Sequence, residues 1–158
     1  MKNNQTYTVE EAKRALEKYC TYQERCHKEV EEKLRKMNMI PAACEEIILH
    51  LIAHRFLDET RFAQSYARGK FNIKKWGRVR ITQELKRRDI SSYNIKTALK
   101  EINEEAYVET LENLMQRSFE TVKETHPLKK KKKICEQLYR KGYETELIFH
   151  KYEAFYSC

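Results

Sequence analysis

The chain has 158 residues, 35% of them charged and only 3 Gly and 2 Pro; so few turn formers exclude a sandwich, a barrel or a Rossmann core and point to helices. Its 41% apolar content supplies a core and excludes a disordered chain. The net charge of +8 is concentrated in residues 61–106, with 12 basic and 5 acidic groups against 10 and 11 in residues 1–60, which fits a polyanionic partner or, less specifically, a solvated basic surface.

The first segment, VEEAKRALEKYC, places Val9, Ala12, Leu16 and Tyr19 on one helical face. A second helix follows with Val30 and Leu34 four apart, a stop at Asn38 and an apolar Met39. Pro41 opens a third helix, whose stripe is Cys44, Ile48 and Leu51. The same order then recurs. RFAQSYARGKF carries Phe62, Ala63, Tyr66 and Ala67; Ile81 and Leu85 lead to a stop at Asp89 and to Ile90; Ser91 and Ser92 precede Ile95, Leu99 and Ile102. Finally, YVETLENLMQRSF carries Val108, Leu111, Met115 and Phe119; Ile134 and Leu138 lead to Gly142 and Tyr143; Thr145 and Glu146 precede Ile148, Tyr152 and Phe155. Val30, Ile81 and Ile134 stand in register at offsets of 51 and 53 residues, with no gap in the aligned stretch. This predicts an all-α fold of three tandem three-helix repeats, divided at 7–55, 56–104 and 105–158, forming an elongated, curved array.

No run approaches the length of a membrane span, and the start, MKNNQTYTVEE, lacks an apolar signal core. Cys20, Cys26, Cys44, Cys135 and Cys158 are odd in number and follow no paired spacing, so reduced thiols in a cytoplasmic protein are expected, with Cys44 and Cys135 in or near the core. His50 and His54 are one helical turn apart but have no third ligand at a recognisable spacing, so no metal or cofactor is expected. Phosphate-loop, nucleophile-elbow and calcium-loop signatures are missing, and the acids occur as adjacent pairs that diverge by about 100° on a helix. An enzyme is therefore not expected.

The charge gathers in KKWGRVRITQELKRRDI, residues 74–90, whose cations are Lys74, Lys75, Arg78, Arg80, Lys86, Arg87 and Arg88. Arg80 and Arg87 share a flank beside Ile81 and Leu85 and can present guanidinium forks to phosphates or carboxylates; Glu84 can neutralise at most one of them. Arg68 and Lys70 extend this candidate surface upstream, while Arg88 lies nearer the apolar face and can cover it with its stem. Lys129, Lys130, Lys131, Lys132 and Lys133 fall at a helix start, where the dipole disfavours cations; an anionic partner and a solvated lysine-rich loop are equal readings. Trp76 can stack on a base, but packing between helices is the favoured reading.

FLDETRFAQSYARGK (residues 56–70), followed by Trp76, Gly77, Ile81, Leu85 and RRDI, resembles the most characteristic segment of the RecX family of bacterial regulators. The matching positions are Asp58, Arg61, Phe62, Ala63, Tyr66, Arg68, Gly77, Ile81, Leu85, Arg87, Arg88, Asp89 and Ile90; Asp89 stands where Gly is usual, and the third unit's linker is a plain lysine run. The resemblance extends from about Tyr7 to Phe155, since that family is built of three tandem three-helix repeats. It implies a monomeric protein that binds the RecA recombinase, above all its filament on single-stranded DNA, by lying in the filament groove. It implies further that such a protein limits filament growth, ATP hydrolysis and strand exchange in recombination and DNA repair, the ATPase belonging to the partner. The alternative is a basic helical-repeat protein that binds nucleic acid directly.

Overall fold

The computed structural model describes residues 6–156, so Cys158 and the first five residues lie outside the described residues. The order is α1 (Val9–Tyr22), α2 (His27–Lys36), α3 (Pro41–Ala53), α4 (Glu59–Asn72), α5 (Arg78–Arg87), α6 (Ser92–Leu99), α7 (Glu104–Thr121), α8 (Pro127–Lys141) and α9 (Thr145–Tyr156). Among the described residues every element is a helix, and the nine form a helical repeat array of three-helix units.

The leading helix of each unit has a side-chain cap. Thr8 and Glu11 form a reciprocal capping box on α1, Asp58 accepts the Arg61 amide at 3.0 Å on α4, and Asn103 accepts the Ala106 amide at 2.9 Å on α7. The middle helices α2, α5 and α8 start without one. For α5 the missing acceptors come from the next unit. The amide of Arg78 donates to the Tyr107 hydroxyl at 3.1 Å and that of Val79 to the Gly142 carbonyl at 2.9 Å.

Middle helices end alike. Asn38, Asp89 and Gly142 adopt the left-handed conformation, with φ of 58°, 58° and 102°. The next amide then folds back onto the register leucine: Met39 to the Leu34 carbonyl, Ile90 to Leu85 and Tyr143 to Leu138, at 3.2–3.3 Å. This explains the apolar residue five positions after each of those leucines. Arg55 and Lys75 also adopt positive φ, at 60° and 59°, at turns no residue type announces.

Val30, Leu34, Ile81, Leu85, Ile134 and Leu138 are all buried, as the register requires. Burial departs from the expected spacing elsewhere. In α3 the buried face is Ala43, Ile47 and Leu51, rotated by one residue from Cys44 and Ile48, which are half-buried. In α9 Phe155 is 57% exposed; Tyr156 instead stacks on Phe119 with ring centroids 4.0 Å apart. In α7 it is Tyr107 that is buried, and Val108 lies half-exposed beside it. Two cores result. One belongs to α1, α2 and α3, and the other runs through α4 to α9 with Cys26 of the α2 start built into it. The second and third units thus share a single interior, with Tyr107 and Tyr143 5.1 Å apart at its centre.

Candidate partner-binding surface

The cationic residues are organised by two joints between consecutive units. At the second joint the start of α5 meets the turn between α8 and α9. A Cβ on Gly77 would lie 2.3 Å from the Gly142 carbonyl carbon, and one on Gly142 would lie 2.3 Å from Arg80 Cβ, so the backbones approach as only glycine permits. Arg78 locks the joint. Its Nη1 reaches Glu104 at 2.7 Å, its Nη2 reaches Glu144 at 2.6 Å, and its guanidinium lies 4.0 Å over the Tyr107 ring. Tyr107 also donates to Glu144, and burial together with that carboxylate pushes its phenol far above the ordinary range. Arg78, a sequence candidate for partner binding, is therefore committed inside the protein; its carboxylates lie 26 and 66 residues away in the chain.

The first joint repeats this plan with weaker chemistry. His27 holds the register position of Arg78 and meets Glu59, the first residue of α4, as Arg78 meets Glu104, the first residue of α7; the His27 Nδ1 to Glu59 distance is 3.4 Å. Arg61 adds a second tie. Its Nε bonds Glu24 at 2.6 Å and its Nη2 the Arg55 carbonyl at 2.9 Å, which binds the α1–α2 loop to α4. This gives Asp58 and Arg61 their structural reason, one capping α4 and the other fastening it.

Each joint also carries a cation onto the carbonyl end of the next unit's middle helix. Lys28 Nζ donates to the Arg87 carbonyl at 2.8 Å, and Arg80 Nη1 to that of Arg140 at 3.4 Å. Lys141 returns the contact to the Lys74 carbonyl at 3.0 Å. Trp76 packs rather than projects. It is half-buried, with Arg80 4.1 Å and Lys70 5.0 Å from its ring and Tyr66 edge-on at 6.4 Å. Arg88 covers Tyr66 at 4.9 Å, completing a ladder of alternating cations and rings across α4 and α5. Phe62 lies beneath it in the core.

The cations left outward are Lys74, Lys75, Lys86 and Arg87, all exposed. Arg87 keeps a side-chain exposure of 74% although Glu84 bonds it at 2.8 Å, and Arg68 is half-exposed beside Glu101 at 3.4 Å. Arg80 and Arg87 are thus not equivalent, since Arg80 serves the joint. Sequence reasoning missed a further set. Lys36, Arg87 and Arg140 hold one register position in the three units, and all three are exposed. The offsets already determined from the leucines would have found them.

The lysine run does not form one patch. Its five residues lie in the first two turns of α8, where successive side chains diverge by about 100°. Lys131 pairs with Glu153, Lys133 with Glu124 at 2.9 Å, and Lys130 lies 3.9 Å over Phe119, whereas Lys129 and Lys132 are exposed. His50 bonds Glu17 at 2.7 Å, and among the described residues no group of three or more His, Cys, Asp or Glu is placed to hold a metal. No described helix is long and apolar enough to cross a membrane.

Residues 58–99 match the model of the second three-helix domain of RecX, and residues 104–151 that of the third. The regulatory protein RecX of Bacillus cereus is 29% identical over 130 residues, 82% of this chain and 48% of the relative. That of Bacillus cytotoxicus is 30% identical over the same shares. The chain spans about half the length of the curated relatives it matches. The crystal structure of RecX from Lactobacillus salivarius superposes with a TM-score of 0.82 at 26% identity, covering 92% of this chain and 95% of that one. A second crystal structure, of a regulatory protein RecX, gives 0.81 at 23% identity over 92% of this chain and 71% of that one, a likeness of fold.

Proposed function

Because the chain belongs to the RecX family, we propose that it is a non-catalytic regulator that binds the RecA recombinase and its filament on single-stranded DNA. It restrains filament extension, ATP hydrolysis and strand exchange. The observation that carries this reading is the repetition of exposed cations at one position of each unit, Lys36, Arg87 and Arg140. Lys74, Lys75 and Lys86 add to them. A periodic row of charge suits a partner that is itself periodic and anionic, whereas a single-site ligand needs one cluster. The chain acts as an elongated, curved monomer of three units in the cytoplasm, and the ATPase it restrains is the partner's.

The deciding experiment measures binding of the purified chain to RecA-coated and bare single-stranded DNA at matched salt, alongside RecA ATPase and strand exchange. Preference for the coated filament with inhibition of both activities is expected. Equal affinity for bare DNA without inhibition would replace this reading with direct nucleic-acid binding.

A further inference from the structure

An open groove of about 510 Å³ lies between α8 and α9. Its floor is Cys135 and Ile148, both buried, and its walls are Leu128, Tyr139 and Phe149. Those walls are exposed by 72%, 61% and 46%, so the apolar surface faces solvent without cover. From Leu128 to Tyr139 the α8 wall runs roughly 16 Å, about three turns of a facing helix. On the rim Lys131 pairs with Glu153, Lys132 and Glu136 stand exposed, and Lys129 lies three residues before Lys132 on the same flank, so the exposed charge beside the groove is two lysines against one carboxylate.

The first unit carries a groove at the same register position, between α2 and α3, of about 480 Å³. There Glu31 and Glu45 occupy the positions of Cys135 and Phe149. The two grooves are similar in volume and differ in charge: the first is lined by Glu31 and Glu45 against Arg35, the other by Lys131 and Lys132 against Glu136.

We propose that the α8–α9 groove is a docking site for an acidic amphipathic helix of a partner protein. Its apolar face enters between Leu128, Tyr139 and Phe149, and its carboxylates meet Lys129 and Lys132. Such a segment presents apolar anchors at steps of three and four residues, which the length of the α8 wall accommodates. A single strand of nucleic acid fits less well. The groove is a cleft with an aliphatic wall at Leu128 rather than a flat platform, and most of the outward cations that would track a backbone, Lys74, Lys75, Lys86 and Arg87 among them, lie on another unit. The site is distinct from the joints between units and does not depend on the identity of the filament partner.

The test uses the full chain and a fluorescein-labelled 16-residue amphipathic peptide with leucines along one face and glutamates on its flanks, followed by anisotropy. Saturable one-to-one binding that weakens with salt is expected. Leu128→Asp should weaken it roughly tenfold, the order of a lost apolar anchor. Lys132→Glu should weaken it several-fold and flatten the salt dependence, and Leu49→Asp in the first groove should leave it unchanged. Leu128 and Leu49 are exposed, so these variants fold; amide shift mapping on the unaltered protein, with changes confined to α8 and α9, gives the answer without any variant. Absent saturation, equal binding of the same peptide with lysines in place of glutamates, or undiminished binding to Leu128→Asp would overturn the proposal. So would displacement of the peptide from α8 and α9 by oligothymidylate, which would assign the groove to single-stranded nucleic acid.

Discussion

Gly77 is the residue on which the second joint turns. Its missing side chain leaves room for the Gly142 backbone, which a Cβ would meet at 2.3 Å, and two backbone atoms cannot rearrange as a flexible side chain can. Gly77→Ala should therefore cost about 3 kcal/mol, the upper range of overpacking, read as a lowered urea midpoint. Substituting Leu34, Leu85 or Leu138 by Ala should each cost about 2–4 kcal/mol, since all three are buried. Burial also raises the thiols of Cys20, to about 11, and of Cys26, to about 12, above their ordinary 9.0. A raised folded value stabilises fully below pH 9.0 and is lost as pH rises towards 11–12, because unfolding frees the thiols to ionise. The thermal midpoint should fall across that window, and less steeply in a Cys20→Ala/Cys26→Ala variant; equal slopes would show that other groups govern it.

At the scale of elements, the joints rank by chemistry. Arg78 holds two carboxylates and a ring, whereas His27 at the same position holds Glu59 alone. Arg78→Ala should cost about 1–3 kcal/mol, because charge-assisted bonds are lost at a half-buried site, and His27→Ala less. Hydrogen exchange should show α7 and the α8–α9 turn loosening in the first variant. The helices themselves were legible because their signals are local: apolar stripes at helical spacing, and a left-handed residue followed by an apolar one at each middle-helix end; the caps at Thr8, Asp58 and Asn103 are equally local but went unread. What was not legible is non-local. Nothing near Arg78 in sequence names Glu144 as its partner, and a lysine run reads as one patch until helical rotation sends Lys131 to Glu153 and Lys133 to Glu124. The turns at Arg55 and Lys75 end their helices with the same fold-back, Phe56 onto the Leu51 carbonyl at 2.8 Å and Trp76 onto that of Lys70 at 3.1 Å, but arginine and lysine do not announce a left-handed residue.

At the scale of the whole molecule, charge and fold share one period. The offsets that align the buried leucines also align Lys36, Arg87 and Arg140, so each unit brings one exposed cation to the same place. Lys28 and Arg80 meanwhile spend their charge on the carbonyl ends of the next unit's middle helix. The outward row is therefore separable from the joints. A Lys36→Glu/Arg87→Glu/Arg140→Glu variant should fold with a midpoint close to that of the unaltered chain, since exposed charges contribute little stability. On the proposed function it should nevertheless lose most of the inhibition of RecA-driven strand exchange, because three attractions towards an anionic partner become repulsions. Binding by the unaltered chain should weaken steeply with salt, and the variant's slope should be shallower. Reversing Arg78 should do the opposite, disturbing the fold before the salt slope. Full inhibition by the folded triple variant would show that the row is only a solvated face, and would move the search to Lys74, Lys75 and Lys86.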